Sequence, residues 1–278
     1  MLTFIDLHAH ILPGLDDGPQ TLEKSIEMAN MALHQGICKV VATPHVTEGV
    51  FDNEKEAILE KVWELKNALK EEGIPLEIIP GAEIHISNNL VELLEKDKLL
   101  TINNAGKYIL LELPHFQPVP PYLETLIFTL SLKGLRVIIP HPERNSSIQE
   151  NPNILIPLIR QGVLIQGTIS SFVGHFGVKA QRTANLLLGN RMMHLLATDM
   201  HSSGGRLKNF STALKKTEEV FGKEVVRPMI TSDPELILNN GEIVVPEPQP
   251  FTKSSKGFLQ SFLPNIYFPG AQKKNYRV

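Results

Sequence analysis

Short apolar runs recur along the chain at 2–8, 38–45, 76–85, 108–114, 136–141, 163–170 and 194–201, and each predicts a strand. Several are unbroken rather than alternating, as in Ile109-Leu110-Leu111 and Val137-Ile138-Ile139. Unbroken runs suit strands covered on both faces, the situation in parallel sheets. Between them the period changes. Leu22, Ile26, Ala29 and Leu33 form one helical stripe, with Thr21 placed to cap its start and Gly36 its end. Ile58, Val62, Leu65 and Leu69 repeat the stripe, Gly73 closes it, and Trp63 beside it reads as packing. Further helices are expected over 121–133, 153–161, 179–189 and 208–221. Strands alternating with helices in one unbroken series imply an α/β fold of βα units. Seven such units favour a closed or nearly closed barrel over an open sheet, in a single domain over 1–245.

The pattern changes after 245. Pro246-Glu247-Pro248-Gln249-Pro250 reads as an extended linker, because proline removes backbone donors and fixes φ. Residues 251–278 carry Lys253, Lys256, Lys273, Lys274 and Arg277, no acid, and an apolar patch around Phe258, Leu259 and Phe262. A disordered tail or a strap over the barrel is one reading of 246–278, and a docking peptide for a partner or an acidic membrane surface is the other.

Composition narrows the function. The 278 residues hold 27 basic and 30 acidic side chains, a formal net charge of −3, which disfavours a general nucleic-acid binder. The single cysteine, Cys38, gives no disulfide framework and reads as a small core residue, pointing to a reducing compartment. Asp6 comes too early for a secretory signal, and no apolar run approaches the roughly 18 residues of a membrane span, so a cytoplasmic enzyme without a span is expected.

The chemistry lies in the histidines and acids at strand ends. His8-x-His10 and Asp199-x-His201 each place two side chains on one face of a strand. His45 and His141 end the second and fifth strands, Glu83 ends the third, and Glu112 interrupts the apolar fourth. A carboxylate inside such a run is costly unless it is paired or metal-bound. Six of seven strands therefore present His, Asp or Glu where βα barrels hold their active sites. Imidazole mixed with carboxylate suits manganese, iron or zinc.

The run Asp6-Leu7-His8-Ala9-His10-Ile11-Leu12-Pro13-Gly14-Leu15-Asp16-Asp17-Gly18 resembles the opening signature of the polymerase-and-histidinol-phosphatase (PHP) superfamily. More narrowly, it resembles the bacterial CpsB/YwqE-type tyrosine phosphatases of capsule and exopolysaccharide regulation. Thr43-Pro44-His45, Gly81-Ala82-Glu83, His141-Pro142-Glu143-Arg144, Asp199-Met200-His201 and Asp233-Pro234-Glu235-Leu236-Ile237-Leu238 follow in that family's order. The likeness covers about 2–245 and leaves the tail aside. It implies a distorted (β/α)7 TIM-like barrel holding three divalent ions, often Mn2+, with iron or zinc as alternatives. By resemblance the metal ligands are His8, His10, Asp17, His45, Glu83, Glu112, His141, Asp199 and His201. Asp16 is assigned to shaping the loop, and Arg144 and Arg206 match phosphate-binding positions. Three ions, the four carboxylates, a bridging hydroxide and two arginines leave a local charge of about +3, attractive to a phosphomonoester.

The expected reaction is metal-assisted phosphomonoester hydrolysis by a metal-activated hydroxide. The substrate implied is phosphotyrosine on a membrane tyrosine kinase controlling polysaccharide export; oligomeric state stays open. Histidinol-phosphate phosphatase is the alternative within the superfamily. A PHP-type exonuclease, an amidohydrolase and a non-catalytic metal module are less favoured. Two departures from the family stand out. Glu48 lies where relatives carry basic residues, which weakens attraction for an acidic peptide. His85 replaces a common tyrosine and faces the cluster only if its strand continues; otherwise it is a rim residue. His34, His115, His175 and His194 have no motif and read as ordinary side chains, with a rim contact left open for His175 and Phe176.

Overall fold

The computed structural model describes residues 4–252, so the basic and apolar tail expected beyond them lies outside the described residues. Among the described residues nine strands form, all paired in parallel: β1 (Phe4–Ala9), β2 (Ile37–Ala42), β3 (His45–Val46), β4 (Glu77–Pro80), β5 (Glu83–His85), β6 (Tyr108–Glu112), β7 (Arg136–Pro140), β8 (Leu164–Thr168) and β9 (Leu195–Ala197). They make a sheet β1-β2-β4 and a sheet β3-β5-β6-β7-β8-β9. Nine replace the expected seven because two runs break. Pro44 cannot donate to a ladder, so 38–45 divides into β2 and β3. The run 76–85 divides at Gly81, where a Cβ would stand 2.7 Å from Val41 Cγ1. The pieces beyond the breaks, β3 and β5, pair with each other and carry the second sheet onward. At the far side, His10 N donates to Met200 O (2.9 Å) and Asp199 N to His8 O (3.0 Å), joining β1 to the segment after β9.

Two apolar layers hold this arrangement. Alternate residues Leu7, Val41, Ile79, Leu110, Ile138, Leu164 and Leu195, one from each predicted run, form an inner cluster with Ile237, Leu238 and Ile243. The helix Ser232–Leu238 closes its lower end, and the hydroxyl of buried Tyr108 donates to Gly241 O at 2.6 Å. The larger cluster lies between strands and helices. A register shift between Asp6 and Ala9 coincides with a change of tenant on β1: Leu7 belongs to the inner core, whereas His8 and His10 belong to the site above it.

The helices follow their stripes with two corrections. In α1 (Leu22–His34) the Thr21 hydroxyl caps Lys24 N, as expected, but the buried face is Ser25, Met28, Ala29 and Ala32, turned from the predicted stripe. In α2 (Lys55–Glu71) Ile58, Val62, Leu65 and Leu69 are buried as expected, while Trp63 is 68% exposed. Trp63 follows Val62 by one residue, a rotation that carries it out of the apolar stripe. Leu65→Ala should cost about 3 kcal/mol, read as a lower urea midpoint at unchanged slope. The proline-rich stretch has no regular secondary structure and lies against the body: Pro248 is buried, Gln249 N donates to Asn190 O (2.9 Å), and Phe251 N to Asn153 Oδ1 (2.8 Å).

Candidate metal centre

All nine predicted ligands converge at the C-terminal ends of the strands. Their donor atoms fall into overlapping groups, each within 4.8 Å: His8, Glu83 and His141; His8, His10 and Asp199; His10, Asp17, His45 and His201; His45, Glu83 and Glu112. Glu83 is central and fully buried. Its Oε2 lies 3.1 Å from His8 Nε2, 3.2 Å from His10 Nε2 and 3.2 Å from His45 Nδ1, and its Oε1 lies 2.7 Å from His141 Nε2. Asp199 Oδ1 is 3.6 Å from His8 Nε2 and 3.5 Å from His10 Nε2. Asp17 stands at the exposed mouth, 3.2 Å from His201 Nε2 and 3.7 Å from His45 Nε2.

Asp16 takes the different role expected of it. Its Oδ2 lies 2.6 Å from His10 Nδ1 and accepts from His45 N (3.1 Å), while Oδ1 accepts from Gly18 N (2.9 Å). Gly18 is required there because a Cβ would lie 2.7 Å from His10 O. Gln166 Oε1 does the same for His8, 3.0 Å from its Nδ1. With both Nδ1 atoms engaged by acceptors, neutral rings would carry their lone pairs on the two Nε2 atoms, which face each other at 3.2 Å among carboxylate oxygens. That packing is repulsive unless positive charge sits between them, so the donor set fits divalent cations. His45 Nδ1, buried and without a hydrogen-bond partner among the described residues, fits the same reading. No cysteine takes part, and Cys38 donates to Phe4 O instead.

The electrostatics agree. Burial opposes ionisation of Asp199, but Arg144, His8 and Arg206 hold its carboxyl well below the usual range. Glu83 is likewise held low against burial by His8 and His141. The Asp17 carboxyl is lowered to about 2, chiefly by its hydrogen bond with His201. Burial and then Arg144 push His141 down to about 4, keeping its imidazole neutral and its lone pair free near pH 7.

Backbone strain accompanies two of these residues. His141 and Asp199 adopt left-handed conformations, φ 35° and 53°, each costing about 1–3 kcal/mol. The turn after His141 brings Arg144 inward, where Nη2 donates to Thr168 Oγ1 (2.5 Å) and pairs with Asp199. Arg206 Nη1 lies 2.8 Å from Asp199 Oδ2.

Further residues join the site beyond the nine. His115, outside every motif, is not an ordinary side chain: its Nε2 is 3.2 Å from His141 Nδ1 and 3.7 Å from Glu112 Oε1, and it forms a further donor group with them. His85 faces Glu112 (3.2 Å), so β5 continues far enough to bring it to the edge of the cluster. Phe176 contacts both arginines, its ring 3.8 Å from the Arg144 guanidinium and 5.0 Å from that of Arg206. Buried Glu143 anchors the Arg144 turn by accepting from Thr168 N (3.0 Å) and Ser171 Oγ (2.6 Å). His194 is structural, its Nδ1 accepting from Ile165 N at 3.0 Å.

Comparison with known proteins agrees with this geometry. The profile of the family described as "Capsular polysaccharide synthesis, CpsB/CapC" matches residues 4–239. The chain is 42% identical over 248 residues to the tyrosine-protein phosphatase YwqE of Bacillus subtilis, covering 88% of this chain and 96% of that one. It is 34% identical over 202 residues to the putative tyrosine-protein phosphatase CapC of Staphylococcus aureus, covering 73% and 78%. A chain from the crystal structures of YwqE from Bacillus subtilis and CpsB from Streptococcus pneumoniae, described as unique metal-dependent tyrosine phosphatases, superposes with TM-score 0.85 at 40% identity, covering 90% of this chain and all of that one. An organophosphorus hydrolase variant from Deinococcus radiodurans, at TM-score 0.51 and 16% identity over 84% of this chain and 91% of that one, shares the fold alone.

Proposed function

Because the chain belongs to the CpsB/CapC capsular polysaccharide synthesis family, we propose that it is a metal-dependent protein-tyrosine phosphatase. We read its ring of strands as a distorted (β/α)7 barrel over 1–245, with 246–278 as an appendage. The observation that carries the functional reading is the convergence of nine nitrogen and oxygen ligands beside two arginines stacked on one phenylalanine. His8, His10, Asp17, His45, Glu83, Glu112, His141, Asp199 and His201 would hold three divalent ions, with manganese the first candidate. Such ions, when bound, supply Lewis-acid polarisation of phosphoryl oxygens and a water nucleophile at neutral pH.

The chain's own residues do the rest. Arg144 and Arg206 bind the non-bridging phosphoryl oxygens, each guanidinium offering two N–H groups in a plane. Both now rest on Asp199, so a phosphate competes for donors already aimed at the centre. Phe176 fixes the planes of the two guanidiniums and limits their wandering. Asp16 and Gln166 hold His10 and His8 in one tautomer. A phenolate leaving group, pKa about 10, needs less proton donation than an alkoxide, which favours an aryl phosphate in a site whose acids are held ionised.

The reading extends to setting. Among the described residues no helix is long and apolar enough to cross a membrane. We place the enzyme in the cytoplasm, acting on the phosphotyrosine tail of a membrane kinase that controls polysaccharide export. Metal content per chain, measured with turnover of a phosphotyrosine peptide and of histidinol phosphate, tests this. The peptide should be preferred by about a hundredfold in kcat/KM. The opposite preference would move the assignment to the small-molecule phosphatase.

A further inference from the structure

Beside the metal centre opens a cavity of about 600 Å³. Its wall begins where the cluster ends. Val46 and Ile84 directly follow the candidate ligands His45 and Glu83, and both line it. His85, 3.2 Å from Glu112, lines it too, and so does Phe51, whose ring stacks on His45 with centroids 5.6 Å apart. A group placed in this cavity is therefore a neighbour of whatever sits on the metals.

The lining has two characters. Val46, Phe51, Ile84, Ile86, Leu93 and Leu99 give an apolar floor. Glu48, Asp52 and Glu54 form an acidic rim on the loop between β3 and α2, with Lys98 as the cation among the lining residues apart from His85. Asp52 is used locally, accepting from Gly49 N at 2.8 Å. Glu48 and Glu54 are exposed and form no ion pair or side-chain hydrogen bond among the described residues. The rim is thus net negative with two uncommitted carboxylates, whereas Arg144 and Arg206, and the cations the centre would hold, make the phosphate site positive.

A phosphotyrosine peptide that crosses this boundary meets opposite requirements at its two parts. The phosphate belongs to the cationic centre. The side chain next to it must leave that centre, pass over an apolar floor and end among carboxylates. Lysine and arginine have this build, a hydrocarbon stem of three or four carbons and a terminal cation. An acidic neighbour would be held off by Glu48 and Glu54. We propose that this cavity is a specificity subsite for a lysine or arginine flanking the phosphotyrosine, and that Glu48 and Glu54 select it. The subsite rests on the phosphatase reading and refines it: the substrate is a basic phosphotyrosine segment.

The test uses the metal-loaded full chain and short phosphotyrosine peptides that differ only in the adjacent residues, carrying lysine, alanine or glutamate, with free phosphotyrosine as the reference. In the natural chain kcat/KM should fall from the lysine to the glutamate peptide by about tenfold or more, and the gap should shrink as salt is raised. In Glu48→Gln/Glu54→Gln the lysine-to-glutamate ratio should drop to near one. Glu48→Lys/Glu54→Lys should invert it. Ratios within one variant are insensitive to how much of that variant is active. Equal turnover of the peptides by the natural chain overturns the subsite, and so does a preference that survives both double variants. Failure to hydrolyse free phosphotyrosine and every peptide would instead overturn the phosphatase reading beneath it.

Discussion

Glu83→Gln is expected to lower kcat for an aryl phosphate about a thousandfold or more at saturating manganese, and to lower the metal retained per chain. The magnitude follows from position. Glu83 is fully buried, and its two oxygens lie within 3.2 Å of four imidazole nitrogens, those of His8, His10, His45 and His141. It belongs to two of the overlapping donor groups, and its partners His8, His45 and His141 share those groups with it. The amide is nearly isosteric, so the cavity is preserved, but one oxygen becomes an N–H donor and the negative charge is lost. Both changes act on the same cations that the reaction needs, and a thousandfold loss corresponds to about 4 kcal/mol of barrier. Turnover within tenfold of the natural chain, at equal metal content, would remove Glu83 from the reacting centre. Metal analysis and circular dichroism on the same sample separate loss of ligand from loss of fold.

Why Glu83 was legible in the sequence, and Phe176 less so, is a matter of range. A carboxylate at the end of an apolar run is anomalous within ten residues of chain, and so is a histidine repeated two positions on. These local anomalies mark His8, His10, His45, Glu83, Glu112, His141, Asp199 and His201 against the ends of the predicted strands. Asp17 rested on resemblance, and the geometry then separated it from Asp16: one carboxylate at the mouth near His201, the other buried against His10. His115 and Gln166 had no local anomaly. Their roles arise only when β6 is set beside β7, and when Gln166 of β8 meets His8 of β1 across the centre, relations between strands far apart in sequence. Phe176 is similar, since its partners Arg144 and Arg206 lie on either side of it in the chain.

The fold divides along the same line. Parallel βα units follow from unbroken apolar runs and intervening stripes, which are short-range patterns. The breaks that turn seven runs into nine strands depend on Pro44, readable in principle, and on Gly81, whose need for no side chain is set by Val41 of the neighbouring strand. Trp63 is outward because it stands one residue off a stripe that α2 buries as expected, whereas α1 turns its whole face. A helix faces the core by the sum of its contacts, and one residue of displacement turns it by 100°.

Removing the metal should produce the other large effect, in stability as well as in rate. After exhaustive chelation, turnover of an aryl phosphate is expected to fall by at least a thousandfold and to return on adding manganese, with iron and zinc as comparisons. The stripped protein should also melt at lower temperature. Glu83, Glu112 and Asp199 are buried carboxylates, and Asp17 adds a fourth at the mouth. Without cations their charge is met only by Arg144, Arg206 and whatever protons the imidazoles retain. His10 is pulled well above its ordinary value by Asp16 and Glu83 despite its burial, whereas His141 is pushed down to about 4. Protons therefore reach only part of the centre. An ion that binds the folded chain and not the unfolded one adds about 2.7 kcal/mol at one hundred times its dissociation constant, and several sites add further. Loss of stability without loss of rate would make the ions structural. Loss of neither would mean that the convergence of His8, His10, Glu83, His141 and Asp199 serves some purpose other than holding a metal.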